Sequence, residues 1–156
     1  MPMLPLRHWF LPLMARGCMI ADGNSGERTN EGTVLVVDDE PSLTRSAARL
    51  LRSMGFEVCV AAGGREAVEI CRSRGAEIDV VLLDVFLQEM PSMETLRQLR
   101  SLHSGIKVIL TSGYDQQESV DGFAGMRLDG FIAKPFGYAE LENAIRAALK
   151  PRRTTM

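Results

Sequence analysis

From Thr33 onward, short apolar runs alternate with stretches in which apolar positions recur every three or four residues. TVLVV (33–37) is a continuous, largely β-branched run, the pattern of a strand covered on both faces. Asp38-Asp39-Glu40-Pro41 stops it, and Pro41 suits the first turn of a helix, where its preset φ fits and its missing N–H costs nothing. Over 42–54, Leu43, Ala47, Leu50, Leu51 and Met54 share one helical face, and Gly55 supplies the stop. FEVCVA (56–61) predicts a second strand. Gly63-Gly64 opens a helix to about residue 74, with Ala67, Val68 and Cys71 on one face and Gly75 behind it. IDVVLL (78–83) is the most hydrophobic run and predicts the central strand. A helix over 92–103 carries Met93, Leu96, Leu99 and Leu102 on its buried stripe. IKVIL (106–110) is strand four, a less apolar helix follows near 116–124, GFIA (130–133) is strand five, and 138–149 is a last amphipathic helix. Five strands alternating with five helices through short connections predict an α/β fold. Its core is a single doubly wound, five-stranded parallel sheet with right-handed crossovers and helices on both faces.

Composition narrows the classes. The chain has 156 residues, room for one domain of ordinary size, and 46% hydrophobic with 24% charged residues is the globular pattern. A formal net charge of −2 exerts no broad pull on nucleic acid or anionic lipid. Lys150, Arg152 and Arg153 close the chain; 151–156 reads as a solvated basic tail beside a helix C-terminus. Cys18, Cys59 and Cys71 form neither a CxxC nor a Cys/His ligand spacing, which argues against disulfides and zinc and suits a reducing cytosol. Cys59 and Cys71 read as small packing residues.

Residues 1–32 are different. They hold an early Arg7 and a short apolar stretch, but Pro2, Pro5 and Pro12 oppose a helix and Arg16 interrupts the run. The run is too short to span a bilayer, and Ala15-Arg16-Gly17 fits a lipoprotein cleavage box poorly. They read as a disordered N-terminal leader, or as residues ahead of a true start at Met14 or Met19; an interaction segment is the second reading and export the weakest. Residues 21–32 read as linker, and nothing after Lys150 has room for another domain.

Chemistry collects at the strand ends. Asp38 and Asp39 follow strand one, Asp84 follows strand three, Thr111 follows strand four and Lys134 follows strand five. In an open parallel sheet the carboxyl ends of the strands share one crevice. Three converging carboxylates repel one another unless a cation sits among them, and hard oxygen ligands suit Mg²⁺. A carboxylate presented at the end of an apolar strand can attack phosphorus and become an acyl phosphate. A hydroxyl and a fixed ammonium are the groups that reaction still lacks. Singly, each residue has an ordinary reading: the acidic pair a solvated loop or N-cap, Thr111 a cap, Lys134 a surface lysine. Lys134-Pro135 favours the site, since the proline forces the strand to end at the lysine.

VLVVDDEP, VVLLD, VILTSGY and GFIAKPF resemble the hallmark segments of response-regulator receiver domains, the phosphoacceptor modules of two-component signalling. The resemblance covers about 33–150. It implies a flavodoxin-like fold with strand order 2-1-3-4-5. Asp84 would take the phosphoryl group, and Asp38, Asp39, Asp84 and the backbone carbonyl of Phe86 would surround Mg²⁺. Thr111 would be the switch hydroxyl and Lys134 the charge partner, with Phe131 as the aromatic whose rotamer reports phosphorylation. Core packing is the other reading of Phe131. Partners implied are a histidine kinase or histidine phosphotransfer protein and a downstream protein. Contact would run through the face of the fourth helix, fifth strand and last helix, which could also form a homodimer, with Tyr114 at its edge. ILTSGY and GFIAKPF are most similar to receivers of hybrid histidine kinases. The implied protein is a cytoplasmic switch rather than an enzyme, with no direct role for nucleic acid or membrane.

One departure stands out. Members of this family usually carry proline four and glycine eight residues after the acceptor; here these are Gln88 and Ser92, with proline at Pro91. This keeps open a degenerate receiver that binds partners without phosphorylation. Phe86, two residues after Asp84, is bulky enough to shield an acyl phosphate from water. An aspartyl-nucleophile phosphatase is less well supported, because such enzymes generally need a second acid where Phe86 stands. Neither GxGxxG nor GxxxxGK[ST] occurs, which removes the nucleotide-binding α/β readings.

Overall fold

A computed structural model describes residues 30–113 and 120–150. Its elements run β1 (Thr33–Val37), α1 (Pro41–Ser53), β2 (Glu57–Ala61), α2 (Gly64–Arg74), a 3₁₀ turn (Gly75–Glu77), β3 (Val80–Asp84), α3 (Ser92–Leu102), β4 (Lys107–Ser112), β5 (Gly130–Ala133) and α4 (Tyr138–Leu149). The sheet is parallel throughout, in the order β2-β1-β3-β4-β5. The predicted doubly wound fold and its strand order are both present.

Burial follows the two-residue period of the strands. Leu35, Val37, Val81, Leu83, Val108 and Leu110 face one core, shared with Ala67, Val68 and Cys71 of α2, Leu96 and Leu99 of α3, and Phe123. Leu102, expected on the same buried stripe, is the last residue of α3 and is 39% exposed. The alternate residues Val34, Val36, Val80, Leu82, Ile109 and Ile132 face a second core with Ala47 and Leu51 of α1 and Leu141 and Ile145 of α4. Each fully buried leucine or isoleucine contributes roughly 2 kcal/mol relative to exposure, so two continuous cores hold the helices to both faces. Cys59 and Cys71 are buried in the first core as free thiols, the packing role expected of them.

Helix ends follow the chain's punctuation. Pro41 occupies the first turn of α1, and Gly55 follows its end with φ of +95°, a conformation that a side chain disfavours. Gly64 is required for a different reason. A Cβ there would collide with the Thr95 hydroxyl, so only glycine lets the start of α2 approach α3.

Two strands run further than the hydropathy suggests. Asp84 is the last residue of β3, and β4 continues through Thr111 to Ser112, so both residues belong to the sheet instead of the turns beyond it. Ladder bonds from neighbouring strands extend them after the apolar run has ended. The helix expected near 116–124 falls partly on 114–119, outside the described residues, as does Tyr114; Val120 and Asp121 are helical. Residues 1–29 and 151–156 are likewise outside. Among the described residues, no helix is long and apolar enough to cross a membrane.

Candidate functional site

The period that builds the second core also aims the polar residues. Two positions beyond Val36 is Asp38, beyond Leu82 is Asp84, beyond Ile109 is Thr111, and beyond Ile132 is Lys134. All four therefore project from the same side of the sheet at its carboxyl edge. Asp84 and Thr111 are register partners on β3 and β4. Lys134 lies just past β5, tied in by its N–H on the Ser112 carbonyl at 2.7 Å. The Lys134–Pro135 peptide is cis.

The side chains meet. Lys134 Nζ donates to Asp38 Oδ2 at 2.6 Å and stands 3.1 Å from Asp84 Oδ2. Asp38, Asp39 and Asp84 each place a carboxylate oxygen within 4.8 Å of the others. Asp38 and Asp84 are buried, and Asp39 is half-buried, which leaves the cluster open on one side. Asp38 Oδ1 also accepts from the Glu40 N–H at 2.9 Å, and Asp39 Oδ2 from the Gln88 N–H at 3.3 Å. Thr111 is buried, and its hydroxyl engages no hydrogen bond among the described residues.

Electrostatics follow from burial and neighbours. Burial raises the Asp84 carboxyl above the usual range. The Phe86 N–H, on Asp84 Oδ1 at 3.1 Å, opposes this; the Asp38 charge adds to the rise, and Lys134 counters it. Burial alone would lower the Lys134 ammonium. The Asp38 hydrogen bond and the Asp84 and Asp38 charges overcome that, and it is held above its usual value. Three carboxylates against a single ammonium leave an anionic excess that suits a divalent cation. The donors are all oxygen, as Mg²⁺ prefers, so the residues present fit that ion.

Two expected members sit differently. Phe131 is 45% exposed on the edge strand β5, so the core-packing reading is overturned. Phe86 is 54% exposed and reaches the cluster through its backbone N–H. Its ring borders an open apolar groove with Leu87, Pro91, Met93 and Phe123. A contact that hydropathy does not signal is that of Ser92, whose buried hydroxyl donates to the Asp84 backbone carbonyl at 2.5 Å. The chain's only hint of it was a hydroxyl residue at the position where glycine is usual.

A family model described as the response regulator receiver domain matches residues 34–146. The sensor kinase CckA of Brucella abortus is 36% identical over 122 residues, covering 78% of this chain and 13% of that protein. The probable transcriptional regulatory protein TcrX of Mycobacterium tuberculosis is 38% identical over 120 residues, covering 76% of this chain and 50% of that protein. The chain thus spans half or less of these curated relatives. The solved receiver domain of the hybrid histidine kinase CckA has a TM-score of 0.64 at 27% identity, covering 76% of this chain and 100% of that one. With the fold, the acidic cluster and the family match in agreement, the chain belongs to the response regulator receiver domains of two-component systems.

Proposed function

We propose that Asp84 is the phosphoacceptor of this receiver and that Thr111 and Phe131 convert its phosphorylation into a change of surface. The observation that carries the reading is Lys134 Nζ bridging Asp38 and Asp84, with Asp39 completing a three-carboxylate cluster at one edge of the sheet.

In the step envisaged, an Asp84 carboxylate oxygen forms a bond to phosphorus. The bond from phosphorus to the donor's leaving atom breaks, and its electron pair leaves with that atom. The donor is a phosphohistidine of a kinase or phosphotransfer protein, or a small acyl phosphate. Lys134 lies beside the reacting carboxylate and offsets the charge gathering there. Asp38 holds Lys134 in place through the 2.6 Å bond, and the Phe86 N–H fixes one Asp84 oxygen. Asp38, Asp39, Asp84 and the Phe86 carbonyl would hold Mg²⁺, which neutralises phosphoryl oxygens when bound. The Thr111 hydroxyl, unengaged among the described residues, is free to turn toward a phosphoryl group one strand away.

Phe131, 45% exposed, would then turn inward into the space that Thr111 vacates. The surface of β5 and α4 changes with it, which is where a downstream protein or a second copy would dock. The reducing-cytosol pattern of the cysteines supports a cytoplasmic setting. Incubation with Mg²⁺ and acetyl phosphate, followed by intact-mass measurement, tests the reading. A single phosphoryl adduct that Asp84→Asn abolishes is expected. No adduct from either acetyl phosphate or a histidine kinase would overturn it in favour of phosphorylation-independent binding.

A further inference from the structure

Ser92 opens α3, is 3% exposed, and donates its hydroxyl to the Asp84 carbonyl at 2.5 Å. A carbonyl oxygen only accepts, so the direction of this bond is settled. The pairing of β1 with β3 ends one residue earlier, at Val37↔Leu83. On the other side, the Val85 N–H turns to the Thr111 carbonyl at 2.9 Å. Ser92 thus supplies a partner to a buried strand-end carbonyl where the ladder with β1 has stopped.

The two ends of this bond differ in kind. At the Ser92 end, α3 starts against α2. Thr95 is fully buried with its hydroxyl on the Pro91 carbonyl at 3.1 Å, and Gly64 leaves no space for a Cβ beside it. At the other end is the peptide joining Asp84 to Val85. Its plane directs the chain toward Phe86, whose N–H holds Asp84 Oδ1. A rotation of that peptide would swing Phe86 and release the carboxylate from one of its two tethers, the other being Lys134.

We propose that Ser92 is a positioning residue for phosphoryl transfer. Its hydroxyl locks the Asp84–Val85 peptide to the rigid start of α3, and through the Phe86 N–H it sets the direction of the Asp84 carboxylate. The inference rests on Asp84 being the acceptor. It differs from a purely structural role, in which Ser92 merely satisfies a carbonyl and its loss lowers stability without changing the chemistry.

The full chain with acetyl phosphate and Mg²⁺ separates the two, using initial rates of adduct formation by intact mass. Ser92→Ala is expected to lower the maximal rate about tenfold, the scale of a small misalignment of a reacting group, with the half-saturating acetyl phosphate nearly unchanged. Ser92→Thr, which keeps the donor, restores most of the rate. Ser92→Cys keeps the size, weakens the donor and falls between; it also serves where alanine fails to fold. Ile145→Val, a core change in α4, lowers the melting temperature while keeping the parental rate. A Ser92→Ala or Ser92→Cys variant that keeps pace with the parent overturns the positioning role alone. So does a slowing matched by Ile145→Val, or a Ser92→Thr variant as slow as alanine. A parent that takes up no phosphoryl group overturns the acceptor reading, and this inference with it.

Discussion

Asp84 and Thr111 are register partners on adjacent parallel strands, both buried and both on the side of the sheet that carries Asp38 and Lys134. A group attached to Asp84 therefore lies one strand spacing, about 4.8 Å of backbone, from a hydroxyl with no competing partner among the described residues. Under the proposed function, this pairing would couple chemistry at one strand end to movement at the next.

Thr111→Val should keep the phosphoryl adduct and lose the response. Because the hydroxyl has no partner among the described residues, its removal should leave stability unchanged or raise it by about 1 kcal/mol. In a Phe131→Trp background, emission should shift on addition of beryllofluoride and Mg²⁺ when Thr111 is present and stay still when it is valine. An equal shift in both would remove Thr111 from the switch.

Asp84→Asn should raise the melting temperature in Mg²⁺-free buffer at neutral pH. Burial and the Asp38 charge raise this carboxyl in the fold, so its ionised form weakens the folded state. Its contribution to stability is fully present below its ordinary value and is lost as pH rises through the raised one. The gain from asparagine should thus be largest at pH 7 and fade in acid. A gain independent of pH would contradict this origin.

Lys134→Ala removes the cation that both buried carboxylates share. An uncompensated buried charge costs roughly 3 kcal/mol, so the urea midpoint should fall by a corresponding amount. Mg²⁺ should recover a larger part of stability in this variant than in the parent. Equal Mg²⁺ effects on both would argue against a cation among Asp38, Asp39 and Asp84.

Phe86→Asn should shorten the life of the acyl phosphate several-fold. The ring is 54% exposed two residues after Asp84, and on the shielding reading it would keep water from one approach to the acyl phosphate. Quench-flow or intact-mass decay measures the lifetime; an unchanged or longer one removes the shielding role.

Cys71 should resist thiol reagents in the native protein. Burial pushes its thiol up to about 11, and the thiolate is the reactive form. Cys59 and Cys71 are expected to react together only after denaturation, as followed with a chromogenic disulfide.

The alternation of TVLVV, IDVVLL, IKVIL and GFIA with amphipathic stretches was enough to specify the parallel sheet, because strands buried on both faces must be apolar throughout. The polar residues ending those runs were legible for the same reason: a polar side chain is costly within a strand buried on both faces, so it marks where the strand reaches its end. Bounds were less legible, since ladder bonds carried Asp84 and Thr111 into β3 and β4 after the apolar signal had ended. Only the tertiary structure decided which group touches which. Register and strand order brought Lys134 to Asp38 and Asp84, left Phe131 exposed, and set the Ser92 hydroxyl on the Asp84 carbonyl. Hydropathy records whether a position meets water; it carries no information about which distant atom is within hydrogen-bonding reach, and that depends on how the elements pack.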